Sequence, residues 1–400
     1  MLWIARWDSR NPTDGQLLYS EGLLSSLDPN GASVEVLATI RDETANIAPL
    51  GERTHLAPSR WSRALSLLTP LPSDAVRQRT GAFLHALEAA LARHPDAIIF
   101  DYYATGWALE AVQAYCASRG DQRPVLVYLS HNHEASLRRT VADQYAGNPA
   151  MRLIVRHDAE KAARLEDKLV EAVDIIATNT DEDGALYRAA EPNKQYVTVT
   201  PAYSGAERPA GEITEQTARR VIMMGSLLWI AKQENLRRFV AAAHERFSAA
   251  GIELLILGRS DPAFLESIEH RSSTVRALGF VENPLPYLYD SRIGLMPDEL
   301  GGGFKHRVVN YIFNGIPVAT IRSQAAGLPL DLDTDLIAAE TVDELVDAIV
   351  AAIDDLARLN AMAARARAQC DGKFDWVSRG KTLLDAIRSG RHRLTTDSER

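Results

Sequence analysis

The stretch Glu299–Thr320 reads ELGGGFKHRVVNYIFNGIPVAT, in which Gly301, Gly302 and Gly303 run into Lys305 and Arg307. Without Cβ atoms, the glycines let backbone N–H groups come close to an anion. A helix starting near Phe304 adds unpaired N–H groups and the positive end of its dipole. Lys305 and Arg307 are electrostatically misplaced in such a first turn, and a bound anion relieves that conflict. A diphosphate is the natural guest. On the helix, Val308, Val309, Ile312 and Phe313 share the face to be buried, while Arg307, Asn310 and Asn314 share another. A glycine-rich strand-to-helix turn with no ligand is the competing explanation, and the paired cations weigh against it.

A second candidate is YLSHNHEASLRR, residues 128–139, at the carboxyl end of an apolar strand. His131 suits contact with a sugar or proton abstraction from a hydroxyl near neutral pH, and Glu134 could take that role instead. His131 and His133 at i, i+2 with no third ligand make a weak metal site. Alternatively, Asn132 and Glu134 cap the following helix and the histidines satisfy buried polar groups. Arg138, Arg139, Arg152 and Arg156 follow as a basic face, suited to an anionic or lipid-linked acceptor or simply to solvent. Tyr102, Tyr103 and Trp107 lie near another strand end, where Tyr103 suits stacking on a sugar and core packing competes. Gly15 and Gln16 open a helix after the first strand, so that a sugar or phosphate can approach the backbone; a plain turn explains them equally well.

Short β-branched runs alternate with amphipathic stretches along the whole chain. Strands are predicted at 2–6, 33–40, 97–103, 125–131, 174–180 and 196–202, then at 221–226, 253–258, 275–280, 293–297, 317–321 and 335–339. Near-continuous apolar strands alternating with helices predict buried parallel sheets covered on both faces. Four hundred residues exceed one core, so two doubly wound domains are expected, 1–203 and 221–375, with 204–220 as linker and a cleft between them. A helix is expected over 376–390, and 391–400 reads as a polar tail. The formal net charge of −9 argues against a nucleic-acid binder. Cys116 and Cys370 fit neither a metal spacing nor a disulfide framework, which suits a reducing compartment. The N-terminus lacks a signal-peptide h-region, and nowhere do eighteen apolar residues run together. The dinucleotide fingerprint and the P-loop are both missing.

Positions 278–320, ALGFVENPLPYLYDSRIGLMPDELGGGFKHRVVNYIFNGIPVAT, resemble the nucleotide-sugar half of glycosyltransferases with the GT-B fold, most of all the group 1 class, also called family 4. Residues 224–243 are similar to that class's opening of the second domain, and 374–387 to its helix that crosses back to the first. The resemblance implies two Rossmann-like domains facing a central cleft. It also implies donor diphosphate binding by Gly301, Gly302, Gly303, Lys305 and Lys232. The class usually carries a Glu-x7-Glu pair, which here reads Gly302 and Asn310, so a neutral Asn310 faces the donor ribose where the class has a carboxylate. The implied activity is transfer of a sugar from a nucleoside-diphosphate donor to a carbohydrate or lipid-linked acceptor. Expected with it are no metal, a cytoplasmic location with peripheral membrane contact, and a place in bacterial surface or exopolysaccharide biosynthesis. A nucleotide-sugar epimerase of the same fold and an inactive GT-B binding partner are the alternatives.

Overall fold

The computed structural model describes residues 1–8, 15–40, 53–59, 66–143, 145, 148–205, 207–208, 213–299, 304, 306–325 and 328–398. Gly301, Gly302, Gly303 and Lys305 lie outside them. The chain divides into two compact units. One takes Met1–Pro12, Gln16–Ala202 and Trp376–Arg400, and the other Thr13–Gly15 and Tyr203–Asp375.

The first unit runs β1 (Leu2–Ala5), α1 (Gly15–Leu27), β2 (Glu35–Thr39), β3 (Arg53–Leu56), α2 (Ser73–Gln78), α3 (Gly81–Leu91) and β4 (Ala97–Asp101). It continues with α4 (Leu109–Arg119), β5 (Val125–Ser130), α5 (Glu134–Asp143), α6 (Pro149–Ala172), β6 (Ile175–Thr178), α7 (Asp181–Ala190) and β7 (Gln195–Thr198). Its sheet has the order β3-β2-β1-β4-β5-β6-β7, parallel throughout. Alternate residues feed the two faces, as the two-residue period of a strand requires. Leu2, Ile4, Ile98 and Phe100 join one core; Trp3, Ala5, Ala97 and Ile99 join the other.

The second unit runs β8 (Arg220–Met224), α8 (Ile230–Ala250), β9 (Glu253–Leu257), α9 (Pro262–Glu269), β10 (Val275–Gly279), α10 (Leu285–Tyr289) and β11 (Ile293–Met296). Then come α11 (His306–Phe313), β12 (Val318–Ile321), β13 (Ile337–Ala339), α12 (Val342–Ala352) and α13 (Leu356–Cys370). The sheet order is β10-β9-β8-β11-β12-β13, again parallel. The stretch read as a linker is tied into this unit. Ile213 is buried in its core, and its backbone exchanges hydrogen bonds with the Asn360 side chain at 2.8 and 2.9 Å.

The last helix, α14 (Trp376–Ser398), belongs to the first unit and runs beyond the expected 376–390 into the polar tail. Leu383, Leu384 and Ile387 complete the core face that holds Trp3 and Ile99. It lies close against α1. A Cβ on Gly22 would come within 2.2 Å of the Trp376 ring, so the contact depends on a bare backbone. In both sheets the strand order reverses next to the first strand, between β1 and β4 and between β8 and β11. Open α/β sheets bind ligands beyond the carboxyl ends of their strands at such reversals.

Candidate active site

At the first reversal, Asp101 ends β4 level with Ala5 of β1 and is 2% exposed. Its Oδ2 accepts from Trp3 Nε1 at 2.9 Å, and its Oδ1 meets His131 Nε2 at 2.5 Å. A carboxylate at Nε2 favours the proton on that nitrogen, leaving Nδ1 as the uncommitted one. Nδ1 is buried without a hydrogen-bond partner among the described residues. Tyr19 and Tyr102 stand edge-on to the imidazole, with centroids 5.3 and 5.7 Å away. The residue after Asp101, Tyr102, has φ 82 and ψ 144, a region that is essentially glycine's and costs about 1–3 kcal/mol. Its N–H donates to Leu129 C=O at 3.0 Å, which helps hold the strained turn.

A charged cluster adjoins this pair. Arg6, which follows β1, and Arg138 of α5 both bind Asp74 of α2, at 2.8 and 2.9 Å. Arg138 also donates through Nε to Glu134 at 2.8 Å, reaches the Tyr102 hydroxyl at 3.0 Å and lies 4.6 Å over the Tyr103 ring. Burial alone would push the Asp74 carboxyl up, but Arg6 and Arg138 outweigh it and hold the group at about 2. With Asp158 3.6 Å from Arg138, two cations face three carboxylates. Such a cluster offers paired polar groups suited to hydroxyls and leaves no cation over for an anion.

The second reversal is built differently. Gly225 follows β8 with φ 126, and Gly258 follows β9 with φ 147. A Cβ on Gly258 would sit 1.9 Å from Gly225 O, so these loops touch backbone to backbone. Arg307 lays its guanidinium on Gly225, where a Cβ would be 2.9 Å from Nη2. Arg307 Nη1 is buried with no hydrogen-bond partner among the described residues, as is Asp298 Oδ1 just past β11. An unmet buried guanidinium N–H costs a few kcal/mol, and a phosphate oxygen suits its planar fork. α11 is pinned by Tyr311, whose hydroxyl accepts from Met224 N–H at 2.9 Å and donates to Ile222 C=O at 3.1 Å. Burial pushes this phenol up to about 12, with the charge of Arg307 opposing the rise.

Of the residues singled out in the sequence, His131 and Glu134 come together in the first unit, both buried at 4% and 2% exposure. Arg307, Asn310 and Lys232 belong to the second, all half-buried, Asn310 on α11 and Lys232 in the first turn of α8. Gly15 and Gln16 open α1. Gly301, Gly302, Gly303 and Lys305 lie outside the described residues. Tyr103 is fully buried with its hydroxyl on Asp74 at 3.2 Å, so its ring offers no face to a sugar. Asn314, read as facing a ligand, is also buried, bonded to Tyr203, Tyr289 and the Asn310 carbonyl. The α5 cap is not Asn132 with Glu134. Instead, His133 Nδ1 accepts from Ser136 N–H at 3.2 Å, and Glu166 takes the two N–H groups before it. His133 and His131 thus have separate partners, and no group of three metal-ligating residues occurs among the described residues. Asp101, Arg6 and Asp74 went unnoticed in the sequence. The signal for Asp101 was an acid ending the apolar run AIIFD.

Residues 218–355 match the family model described as Glycosyl transferases group 1. No curated protein matched the chain in sequence. Among solved structures, sucrose-phosphate synthase from Thermosynechococcus elongatus aligns with TM-score 0.69 at 15% identity, over 97% of this chain and 98% of that one. WaaG, a glycosyltransferase involved in lipopolysaccharide biosynthesis, aligns with TM-score 0.63 at 16% identity, over 97% and 99%. Anabaena HepE in complex with UDP and glucose gives TM-score 0.62 at 13% identity, also over 97% and 99%. At these identities the likeness is one of fold.

Proposed function

We propose that this chain, a GT-B glycosyltransferase of the group 1 type, moves a sugar from a nucleoside-diphosphate donor to a carbohydrate or lipid-linked acceptor. The observation that carries the donor half is Arg307, a half-buried arginine whose buried Nη1 meets no acceptor among the described residues, at the strand reversal of the second unit. HepE, which shares the fold, binds UDP and UDP-glucose, which favours a uridine donor. We assign the diphosphate to Arg307 and Lys232 together with Gly301, Gly302, Gly303 and Lys305, and a donor hydroxyl to Asn310. As the sugar leaves, negative charge grows on the diphosphate, and cations fixed in advance lower the energy of that state without a metal.

Acceptor chemistry falls to the first unit. Fixed by Asp101, His131 keeps Nδ1 as the base for an acceptor hydroxyl, and Tyr19 or Tyr102 must move aside for the hydroxyl to reach it. Glu134, bound by Arg138 and Asn132, acts by holding Arg138. The paired charges around Asp74 suit sugar hydroxyls, and Gly15 and Gln16 at the start of α1 are assigned to the same ligand. We place the reaction in bacterial surface or exopolysaccharide assembly, a role that WaaG's part in lipopolysaccharide biosynthesis favours. We place the protein in the cytoplasm with peripheral contact to the membrane's inner face. No described helix is long and apolar enough to cross a bilayer. Exposed Met151, Leu153 and Ile154 beside Arg152 and Arg156 at the start of α6 favour surface contact.

Calorimetric titration with UDP, GDP, dTDP and ADP tests this reading. One nucleotide is expected to bind, and Arg307→Ala should weaken it at least about tenfold, the worth of one charge-assisted hydrogen bond. If no nucleotide binds, or Arg307→Ala binds as tightly as the parent, the donor assignment fails.

A further inference from the structure

The turn that carries His131 and Glu134 is held from a neighbouring helix by a residue with no part in the chemistry so far. Glu166 of α6 is 1% exposed. Its Oε1 accepts from Tyr128 OH at 2.8 Å, Tyr187 OH at 2.5 Å and Glu134 N–H at 3.1 Å. Its Oε2 accepts from Ala135 N–H at 2.7 Å. Glu134 and Ala135 supply the first two N–H groups of α5, which have no partner within their own helix. His133 meets the third, so the start of α5 is fully satisfied, and two of its three bonds come from one carboxylate. Upstream, Ser130 Oγ donates to Asn132 C=O at 2.7 Å and Asn179 Nδ2 to His131 C=O at 3.0 Å. The backbone from 130 to 136 is thus fixed at each step, with Glu166 at its centre.

We propose that Glu166 is a positioning residue: as a carboxylate it locks the His131–Glu134 turn in place, and on protonation it loosens that turn. The inference rests on the assignment of acceptor chemistry to His131. The ionised group suits four donors. When protonated, it gives its hydrogen to the Tyr187 oxygen, and the Tyr187 O–H turns to Asn132 C=O, 3.2 Å away. The charge that held the two backbone N–H groups is then gone, and one lone pair of Oε1 is used up. The titratable groups facing Glu166 are Tyr128 from β5, Tyr187 from α7 and Glu134 from α5. Burial pushes the carboxyl up to about 7, the hydrogen bonds from both tyrosines and Ala135 opposing and the charge of Glu134 adding to the rise. The change of state therefore falls near neutrality.

Hydrogen–deuterium exchange of the full chain, resolved to the 131–139 peptide and corrected for intrinsic rates, reads the lock directly. From about pH 8 to about pH 6, the Glu134 and Ala135 amides should lose about tenfold in protection, the worth of one net hydrogen bond. Glu166→Gln should be poorly protected at both values. Tyr187→Phe removes one stabilising donor, so it should stay protected at high pH with its midpoint moved upward. Protection that ignores pH in the parent, or that survives in Glu166→Gln, overturns the proposal. Should Glu166→Gln fail to fold, an unmoved midpoint in Tyr187→Phe does the same. Where transfer is measured with UDP-glucose, Glu166→Gln should lower kcat and leave the donor KM unchanged. A chain that binds no nucleotide yet shows the exchange transition refutes the transferase reading and leaves the lock standing.

Discussion

Replacing Arg138 by methionine keeps most of the side chain's length and removes the cation that three carboxylates share. Glu134 suffers most, since it is 2% exposed and Arg138 is the cation that pairs with it. Unpairing a buried carboxylate costs about 3–5 kcal/mol. The bond to the Tyr102 hydroxyl adds about 1 kcal/mol. Asp74 keeps Arg6 at 2.8 Å and loses less. The Arg138 side chain is 22% exposed, so water recovers part of the loss, and a net cost of about 4 kcal/mol is expected. Domains hold about 5–15 kcal/mol in all, so the first unit should lie close to unfolding. Urea unfolding at neutral pH, read by hydrogen exchange on first-unit peptides, measures this. Glu134→Gln in the same background should recover about 2 kcal/mol or more, because the amide needs no counter-charge. A cost below about 1 kcal/mol for Arg138→Met, or a double variant as unstable as the sum of the singles, would refute the account of this cluster as a buried, mutually dependent network.

Asp74 and Glu166 give the first unit opposite pH dependences. Asp74 is depressed to about 2 in the fold from an ordinary 3.8. It contributes on the order of 2 kcal/mol above the ordinary value, lost as pH falls through the folded one, and Asp74→Asn should flatten that acid limb in thermal melts. Glu166 is raised to about 7 from 4.5. Measured against the unfolded chain, where the carboxyl regains water, its contribution to global stability, on the order of 3 kcal/mol, is complete below the ordinary value and is lost as pH rises through neutrality, even though the ionised group holds the local turn more firmly; Glu166→Gln should remove that slope. In the second unit, Gly258→Ala must separate two backbones, because its Cβ would stand 1.9 Å from Gly225 O, at a φ of 147 that side chains avoid. A loss of at least about 3 kcal/mol is expected in denaturant melts, together with weaker nucleotide binding through the displaced Gly225–Arg307 contact.

The fold was largely legible because its strands are apolar on both faces. AIIFD, VLVYLS and ELLIL stand out from any surface segment, and the helices between them leave few architectures open. β3 escaped notice because RTHL is a polar edge strand with partners on one side. The last helix outran its expected end because neither polarity nor Gly390 stops it; a Cβ there would stand 3.0 Å from Ile175, so this glycine serves close packing on the sheet rather than a helix end. Site residues were legible where a local motif marked them. His131 and Glu134 sit in one short segment, but what organises them comes from far along the chain: Asp101 from thirty residues upstream and Glu166 from thirty-two downstream of Glu134. Separations of that kind leave no periodic trace. Tyr103 misled for the complementary reason, since an aromatic at a strand end looks the same whether its ring faces a ligand or the core.

The two strand reversals share a topology and differ in how their charges are balanced, and the division of labour follows from that difference. At the first reversal Arg6 and Arg138 already have carboxylate partners, so a phosphate there would have to break an existing pair and leave a carboxylate unpaired. At the second, Arg307 keeps a buried nitrogen with no acceptor among the described residues, beside a loop whose missing Cβ atoms leave the backbone bare. Among the described residues, a polyanion need break no ion pair of Arg307 there. A hydroxyl-rich ligand has the reverse preference, because it needs donors and acceptors in balance and gains little from a lone cation. The unmet Arg307 nitrogen, seen among the described residues, and the mutually paired charges of the first unit therefore favour the proposed division of diphosphate and sugar hydroxyls between the two sheets. Exchanging the two states tests the assignment. Asp74→Asn should create weak anion binding in the first unit where the parent shows none, detectable as phosphate-induced shifts of first-unit amides. No gain of binding would mean that the pairing of charges is not what keeps phosphate away.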